Sequence, residues 1–167
     1  MKRTGYFFLF FFLIAAGPAI AKTSCYAPEQ LSAEQLLRLH SELMVITVTC
    51  RQDSAGQNLS PVYTGFTRKN LSALQKAEQT MIAYYKKNEK GDPLEKLDRL
   101  RTKLGNEFGQ KIAELSSPVY CSEYRDKVEA LFDTNKEDLE DIVGNMSTTA
   151  PSYAKACGKT VIAKRGR

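Results

Sequence analysis

Residues 36–50 read LLRLHSELMVITVTC and form the most apolar run of the chain after its first 21 residues. One set of apolar residues in this run recurs at steps of three or four, as a single helical face requires: Leu36, Leu39, Leu43, Ile46 and Cys50. Leu37, Met44 and Val48 widen that face. So wide an apolar surface predicts a helix that neighbouring elements cover on most sides.

The start and the end of this helix carry different signals. Ser32 is an expected N-cap, and Gln35 completes a capping-box pattern with it. The last turns, from Val45 to Thr49, consist of β-branched residues that also suit a strand. A helix is favoured because the preceding LSAEQLLRLHSEL is strongly helical and no turn residue separates the two halves. We therefore expect one continuous central helix.

Residues 1–21 have the three regions of a secretory signal peptide. Two basic residues come first, an apolar core follows over residues 6–16, and Ala19-Ile20-Ala21 predicts cleavage after Ala21. An uncleaved membrane anchor is the alternative, but the apolar core is short against the roughly 20 residues that span a bilayer. We expect a helical bundle domain over residues 22–146 and a C-terminal tail over residues 147–167, tied back through Cys157.

The net charge of +5 comes mostly from the two ends of the chain. Lys2 and Arg3 belong to the leader, and four basic residues lie in the last ten positions: Lys159, Lys164, Arg165 and Arg167. A nucleic-acid-binding protein concentrates its basic residues on a folded face, which this distribution does not provide. We expect no nucleic-acid partner, and at most weak contact of the basic tail with anionic surfaces.

Three pairs of an N-cap residue and a proline divide the rest of the chain: Ser60-Pro61, Asp92-Pro93 and Ser117-Pro118. They predict three helices, over about residues 61–88, 93–115 and 118–132. Thr134 and Glu137 form another capping-box pattern, which predicts a short fifth helix to about Asn145. Short connections imply antiparallel neighbours. The predicted fold is therefore all-α: an up-down helical bundle of four long helices plus a short fifth, stapled by two disulfides.

The four cysteines allow three pairings, and export to an oxidising compartment favours two disulfides. An intact first helix would hold Cys25 and Cys50 roughly 27 Å apart, whereas a bridge needs Cα atoms within about 7 Å. In an alternating bundle, Cys50 and Cys121 lie at the same pole. We therefore predict Cys50–Cys121 and Cys25–Cys157, both structural, because no C-x-x-C redox pair is present.

His40 is the single histidine. A multi-histidine zinc site is thus excluded, and no Cys-x-x-Cys-His motif exists for covalent haem attachment. His40 is the one candidate for a triad base, and with a methionine such as Met81 it is the candidate for haem ligation. A packed or rim histidine, bonded to backbone or water, is the expected role. We predict no metal and no cofactor, with His40 the only cofactor-binding candidate.

The acidic residues give no catalytic assignment. Glu107 is the best candidate for a catalytic acid, but Lys111 at i+4 offers a surface ion pair instead. Residues 133–141, DTNKEDLED, resemble the opening of a calcium loop, yet Asp138 occupies the sixth position, where glycine is needed, and Gly144 the twelfth, where an acid is needed. We predict no catalytic residues and no enzymatic activity.

Six aromatic residues are candidates either to line a pocket for an apolar ligand between helices or to fill the core: Tyr63, Phe66, Tyr84, Tyr85, Tyr120 and Tyr124. Both alternatives stay open on the sequence.

Four short motifs follow one another between residues 36 and 121: MVITVTC, VYTGF, LGNEFGQ and VYC. In this order they resemble uncharacterised small exported four-cysteine helical proteins of alphaproteobacteria. The resemblance implies a Gram-negative periplasm and supports the Cys50–Cys121 pairing. It implies no activity and no catalytic residue.

Three hypotheses for function follow. The leading one is a non-enzymatic periplasmic or secreted protein that interacts with another protein or with the cell envelope. The second is a carrier of a small apolar ligand or haem in the bundle core. The third is a cell-envelope enzyme acting on glycan.

Overall fold

The computed structural model describes residues 25–51, 58–132 and 136–158, with side chains outside 125–137. These ranges contain six α-helices: α1 Pro28–Thr49, α2 Ser60–Lys69, α3 Leu71–Asn88, α4 Pro93–Leu115, α5 Ser117–Phe132 and α6 Lys136–Thr149. The β pairing within them is an isolated parallel bridge between Tyr26 and Ala156. The predicted all-α class is confirmed. The predicted signal peptide over residues 1–21, the predicted N-cap Thr134 and the basic tail from Lys159 lie outside the described residues.

The central element is α1, which packs against each of the other five helices. The predicted inner face is buried, and the β-branched end remains helical to Thr49. Two residues predicted on that face are instead exposed, Met44 at 42% and Val48 at 70%. Polar residues of α1 are buried as well, and they form the candidate site described below. The prediction of a helix covered on most sides is confirmed.

The first turn of α1 begins earlier than its sequence signal predicts. Pro28 occupies the first helical position, where a missing N–H costs nothing. The Gln30 side chain accepts a hydrogen bond from the Ala27 backbone N–H at 3.0 Å. Ser32 therefore lies inside the helix, and its predicted role as N-cap was wrong.

The predicted second helix is in fact two, because Asn70 interrupts it. Asn70 is buried, and both its backbone N–H and its side-chain Nδ2 donate to the Phe66 carbonyl at 3.0 Å. A side chain that hydrogen-bonds to nearby backbone in this way competes with the helical ladder. Its backbone leaves the helical region (φ −105, ψ 15), and α3 starts at the next residue.

The three predicted N-caps have different outcomes. Asp92 caps α4 as expected, because its side chain accepts a bond from the Leu94 N–H at 3.0 Å. Ser60 and Ser117 are instead the first residues of α2 and α5. Ser116 alone links α4 to α5 with φ +68, and its carbonyl accepts the Tyr120 N–H. The last helix also continues past its predicted end at Asn145, to Thr149.

Two disulfides join the cysteine pairs that the helix geometry predicts, Cys50–Cys121 and Cys25–Cys157, with Cα atoms 5.5 and 5.0 Å apart. We call residues 150–157 the C-terminal strap. The Tyr26 N–H donates to the Lys155 carbonyl and the Cys157 N–H to the Tyr26 carbonyl, both at 2.8 Å. The strap is therefore held beside the start of α1. Among the described residues, no helix has the length and apolarity needed to cross a membrane.

Removing the Cys50–Cys121 bridge by replacing both cysteines with serine is expected to lower the free energy of unfolding by about 2–5 kcal/mol. The bridge spans 71 positions and ties α1 to α5, so its loss releases a long loop in the unfolded chain. Denaturant unfolding followed by circular dichroism measures the change.

The matched control replaces Cys25 and Cys157 with serine. It frees the strap and leaves α1 tied to α5, so proteolysis within residues 150–157 should increase in this variant alone. An unchanged unfolding midpoint without the Cys50–Cys121 bridge would contradict the prediction.

Candidate functional site

Because other elements surround α1, six of its polar residues are buried: Glu34, Gln35, Arg38, Ser41, Glu42 and Thr47. Glu34, Arg38 and Glu42 follow one another at i+4 spacing and so share one side of the helix. Charged groups removed from water need partners inside the protein. The partners of Glu34 and Arg38 come from α4 and from the strap.

Arg38 connects α1 to α4. Its Nη2 donates to Glu34 Oε1 at 3.2 Å, and its Nη1 donates to Glu107 Oε2. The guanidinium is 95% buried, so these two carboxylates replace the water it loses. Its third donor, Nε, has no hydrogen-bond partner in the described structure.

Tyr153 adds the strap to this arrangement. Its backbone N–H donates to both oxygens of Glu34, at 3.1 and 3.3 Å, and its hydroxyl donates to Glu107 Oε1. The Arg38 guanidinium carbon lies 5.5 Å and Lys103 Nζ 5.3 Å from the centre of the tyrosine ring. We call Glu34, Arg38, Glu107 and Tyr153 the Arg38 network. It joins three segments that are far apart in the sequence.

Burial dominates the electrostatics of this network. It raises the pKa of the Glu34 carboxyl, while the Tyr153 N–H and Arg38 act against that rise. Burial also raises the pKa of Tyr153, and the hydrogen bond to Glu107 raises it further. The Tyr153 phenol therefore keeps its proton at neutral pH and acts as a donor.

A cleft of about 700 Å³ lies next to the network, between α1, α4, α6 and the strap. Its walls are largely apolar: Leu39, Phe108, Ile142, Met146, Ala150 and Pro151. Its ionisable residues come from α1 and α4: Arg38, Glu42, Glu107, Lys111 and Glu114. This size falls within the range of about 300–1,000 Å³ of small-molecule sites, and the mixture of apolar walls with a few polar groups is typical of them.

A second cavity, of about 240 Å³, lies near the start of α4. Its lining includes Tyr26, Tyr85 and Tyr153 together with basic residues of α4. Burial raises the pKa of Tyr85 to about 12. The basic residues already have partners, since Lys96 pairs with Glu89, Arg99 with Glu95, and Lys103 lies over Tyr153. This cavity is smaller, and its cations are already engaged.

His40 lies apart from the cleft, on the side of α1 that faces α2. Its Nε2 is 3.0 Å from the Tyr63 hydroxyl and 3.3 Å from Thr67 Oγ1, and its ring stacks on Tyr63. Burial lowers the pKa of His40, Arg101 lowers it further, and Glu78 acts in the opposite direction. Met81, the other residue of the haem hypothesis, is fully buried in the core.

Glu107 does lie in the cleft, but its predicted ion pair with Lys111 is replaced by the one with Arg38. Both of its oxygens accept hydrogen bonds, one from Arg38 and one from Tyr153. Lys111 instead places Nζ 5.0 Å from the centre of the Phe108 ring.

The six aromatic residues predicted for a pocket or a core do not line the cleft. Phe66 and Tyr120 are buried in the core, and Tyr84 and Tyr85 are buried beside the second cavity. Tyr120 and Tyr124 stack with ring centres 4.5 Å apart. The aromatic wall of the cleft is Phe108, which the sequence places only on an apolar helical face.

Sequence reasoning missed Glu34, Arg38 and Tyr153. A signal for the first two was available, since an acid and a base at i and i+4 lie on a helix predicted to be covered on most sides. Tyr153 lies in a strap with no helical periodicity, so only its three-dimensional position reveals it.

Within the described ranges, no group of three or more His, Cys, Asp or Glu side chains is arranged to hold a metal ion. The first residues of the calcium-like segment, Asp133 to Asn135, lie outside those ranges.

No protein-family model matches this chain, and neither a curated protein nor a solved structure matches it. The case for a function therefore rests on the residues and geometry of the cleft.

Replacing Arg38 with methionine is expected to lower the free energy of unfolding by about 3–5 kcal/mol, because Glu34 would stay buried without its cation. Adding Glu34→Gln should recover part of this loss, since the amide still accepts the Tyr153 N–H without carrying a charge. Urea unfolding of the single and double variants tests both points.

The matched control is Arg99→Met. The pair Arg99–Glu95 is exposed on α4, so its loss should cost less than about 1 kcal/mol. If the Arg38 and Arg99 variants lose the same free energy of unfolding, burial of the Arg38 guanidinium with its carboxylate partners does not make the difference that we expect.

His40 predicts a pH dependence of stability. The pKa of His40 in the folded protein lies below the ordinary value of 6.5. As the pH falls below 6.5, the unfolded chain therefore binds a proton at His40 before the folded protein does. The contribution of His40 to the free energy of unfolding should therefore be complete above about pH 7 and decrease towards about pH 5.

The comparison variant is His40→Gln, which keeps a polar side chain near Tyr63 and Thr67 but does not titrate. Its unfolding free energy, measured across the same pH range, should fall less steeply than that of the parent protein. Parallel curves would show that His40 has the same pKa folded and unfolded.

Proposed function

We propose that this chain is a non-enzymatic binding protein of an oxidising, extracytoplasmic compartment, and that the cleft takes a small amphipathic ligand. The observation that carries the proposal is one arrangement: apolar walls and fixed ionic groups meet in a cleft of about 700 Å³. A ligand with an apolar body and a polar head would match both parts.

The proposal is supported by the polar groups of the cleft, which are held in place before any ligand binds. Arg38 and Glu107 hold one another in place, and Tyr153 fixes Glu107 from the strap. Groups held in place before binding lose little conformational freedom when a ligand arrives. The apolar side adapts more easily, because Met146 is a flexible side chain that fills irregular space.

An enzymatic role is less well supported. Among the described residues that line the cleft, none is a histidine, a cysteine or a hydroxyl side chain that could form a nucleophile and base pair. The carboxyl whose pKa burial raises, Glu34, does not line the cleft. Glu107, which does, is already engaged at both oxygens by Arg38 and Tyr153.

Two features support the proposed compartment. Two disulfides form, and disulfides persist in oxidising environments outside the cytoplasm. The signal-peptide pattern of residues 1–21 favours the periplasm or secretion. A protein or envelope partner, the hypothesis that the sequence placed first, stays a prediction, and the cleft is the feature that favours a small ligand over it.

The proposal predicts one saturable site for a neutral apolar probe, N-phenyl-1-naphthylamine, whose fluorescence rises in apolar surroundings. Replacing Met146 with tryptophan should narrow the cleft and weaken probe binding by about tenfold or more. Titration of the disulfide-bonded protein with the probe measures this affinity.

The control is Val48→Trp, which adds the same side chain at an exposed position of α1 outside the cleft. Probe binding to this variant should equal that of the parent. Absence of a saturable site, or equal loss in both variants, would overturn the proposed function.

A further inference from the structure

The two disulfides differ in how far solvent can reach them. Cys50 is 1% exposed and Cys121 is 5% exposed, and both belong to the apolar core. Cys157 is exposed and Cys25 is half-buried, and their bridge lies at the end of the C-terminal strap. A reducing thiolate must reach a sulfur atom before it can attack the bond, so the Cys25–Cys157 bridge is the more accessible of the two.

Apart from this bridge, the strap is attached mainly by polar contacts. None of residues 150–157 is buried, so the strap places no fully buried side chain in the core. The residues that hydrogen-bond to it are Tyr26, Glu34, Gln35 and Glu107. A segment with few buried apolar contacts opens at a low cost in free energy. The covalent bridge is therefore the strongest restraint on the strap.

The strap is also part of the cleft. Ala150 and Pro151 line the cleft, and Gln35 Nε2 donates to the Pro151 carbonyl at 3.0 Å. The Tyr153 hydroxyl donates to Glu107, which lines the cleft as well. Displacement of the strap would therefore remove part of the apolar wall and one of the hydrogen bonds that hold Glu107.

We infer that the Cys25–Cys157 bridge is a redox-sensitive latch on the cleft. When the bridge is oxidised, it holds the strap in place as a wall of the cleft. When a dithiol reduces it, the strap leaves the cleft and the ligand binds less tightly. The Cys50–Cys121 bridge keeps α1 joined to α5 in both states, so the helices stay assembled. The effect on ligand binding rests on the proposed function.

The reduction is a thiol–disulfide exchange with a dithiol. One thiolate of the dithiol attacks the Cys157 sulfur, forms a mixed disulfide with it and expels the Cys25 thiolate, which takes up a proton. The second thiol of the dithiol attacks the mixed disulfide and expels the Cys157 thiolate, which is protonated in turn. The dithiol is thereby oxidised to a disulfide, and the bridge has gained two electrons and two protons.

The first test is graded reduction of the folded protein with dithiothreitol, quenched with N-ethylmaleimide and followed by peptide mass spectrometry. We expect labelling of Cys25 and Cys157 at dithiothreitol concentrations about tenfold or more below those that label Cys50 and Cys121. Proteolysis within residues 150–157 should increase over the same range, while the far-UV circular dichroism stays unchanged. Labelling of both pairs together, or of Cys50 and Cys121 first, would overturn the latch and leave the proposed function standing.

The second test measures ligand binding in the two states. N-phenyl-1-naphthylamine is titrated against the oxidised protein and against the protein at the dithiothreitol concentration that reduces only Cys25–Cys157. Reduction should weaken probe binding by about threefold or more, because the wall is no longer held in place before the probe arrives. Reoxidation should restore the original affinity.

The control is the double variant Cys25→Ser and Cys157→Ser. It should bind the probe as weakly as the selectively reduced parent, and the same dithiothreitol concentration should not change its affinity further. Equal or tighter probe binding by the selectively reduced parent would overturn the latch and leave the proposed function standing. Absence of saturable probe binding to the oxidised parent would overturn both.

Discussion

The structure depends on the burial of one guanidinium. Arg38 lies on the helix that each of the other five described helices contacts, and it is 96% buried. A charge in that position is tolerated only where carboxylates replace its hydration. Glu34 is one turn away on the same helix, whereas Glu107 lies on α4. The ion pair between Arg38 and Glu107 therefore constrains how α4 packs against α1.

The same constraint gives the C-terminal strap its position. Glu34 needs a donor besides Arg38, and the single Tyr153 backbone N–H is shared between its two oxygens. The Cys25–Cys157 bridge restricts the strap in the unfolded chain as well as in the native one, and the Tyr153 contacts fix its place further in the native one. Together they make Ala150 and Pro151 a wall of the cleft.

The sequence predicted what depends on local spacing and chain geometry. Most helices could be predicted from helical periodicity and from the Asp92-Pro93 helix start. Both cysteine pairings could be predicted from the length of α1 and the alternating directions of the helices. The sequence did not predict the break at Asn70. The break depends on the Asn70 side-chain amide, which is buried and donates to the Phe66 carbonyl of the preceding turn, and sequence alone does not distinguish such an asparagine from any other polar residue in a helix. The network was missed because the partners of Arg38 and Glu34 are 69 and 119 residues away, where no periodicity links them.

The buried network is a poor explanation for stability, because well-packed apolar residues of similar volume often stabilise a core more than an ion pair does. It does something that an apolar core does not: it fixes charged groups at the edge of an apolar cleft. Glu107 shows this directly. Arg38 on α1 and Tyr153 on the strap both donate hydrogen bonds to its carboxylate, and Glu107 still lines the cleft. An arrangement that holds charged groups beside apolar walls is what the proposed binding of an amphipathic molecule requires.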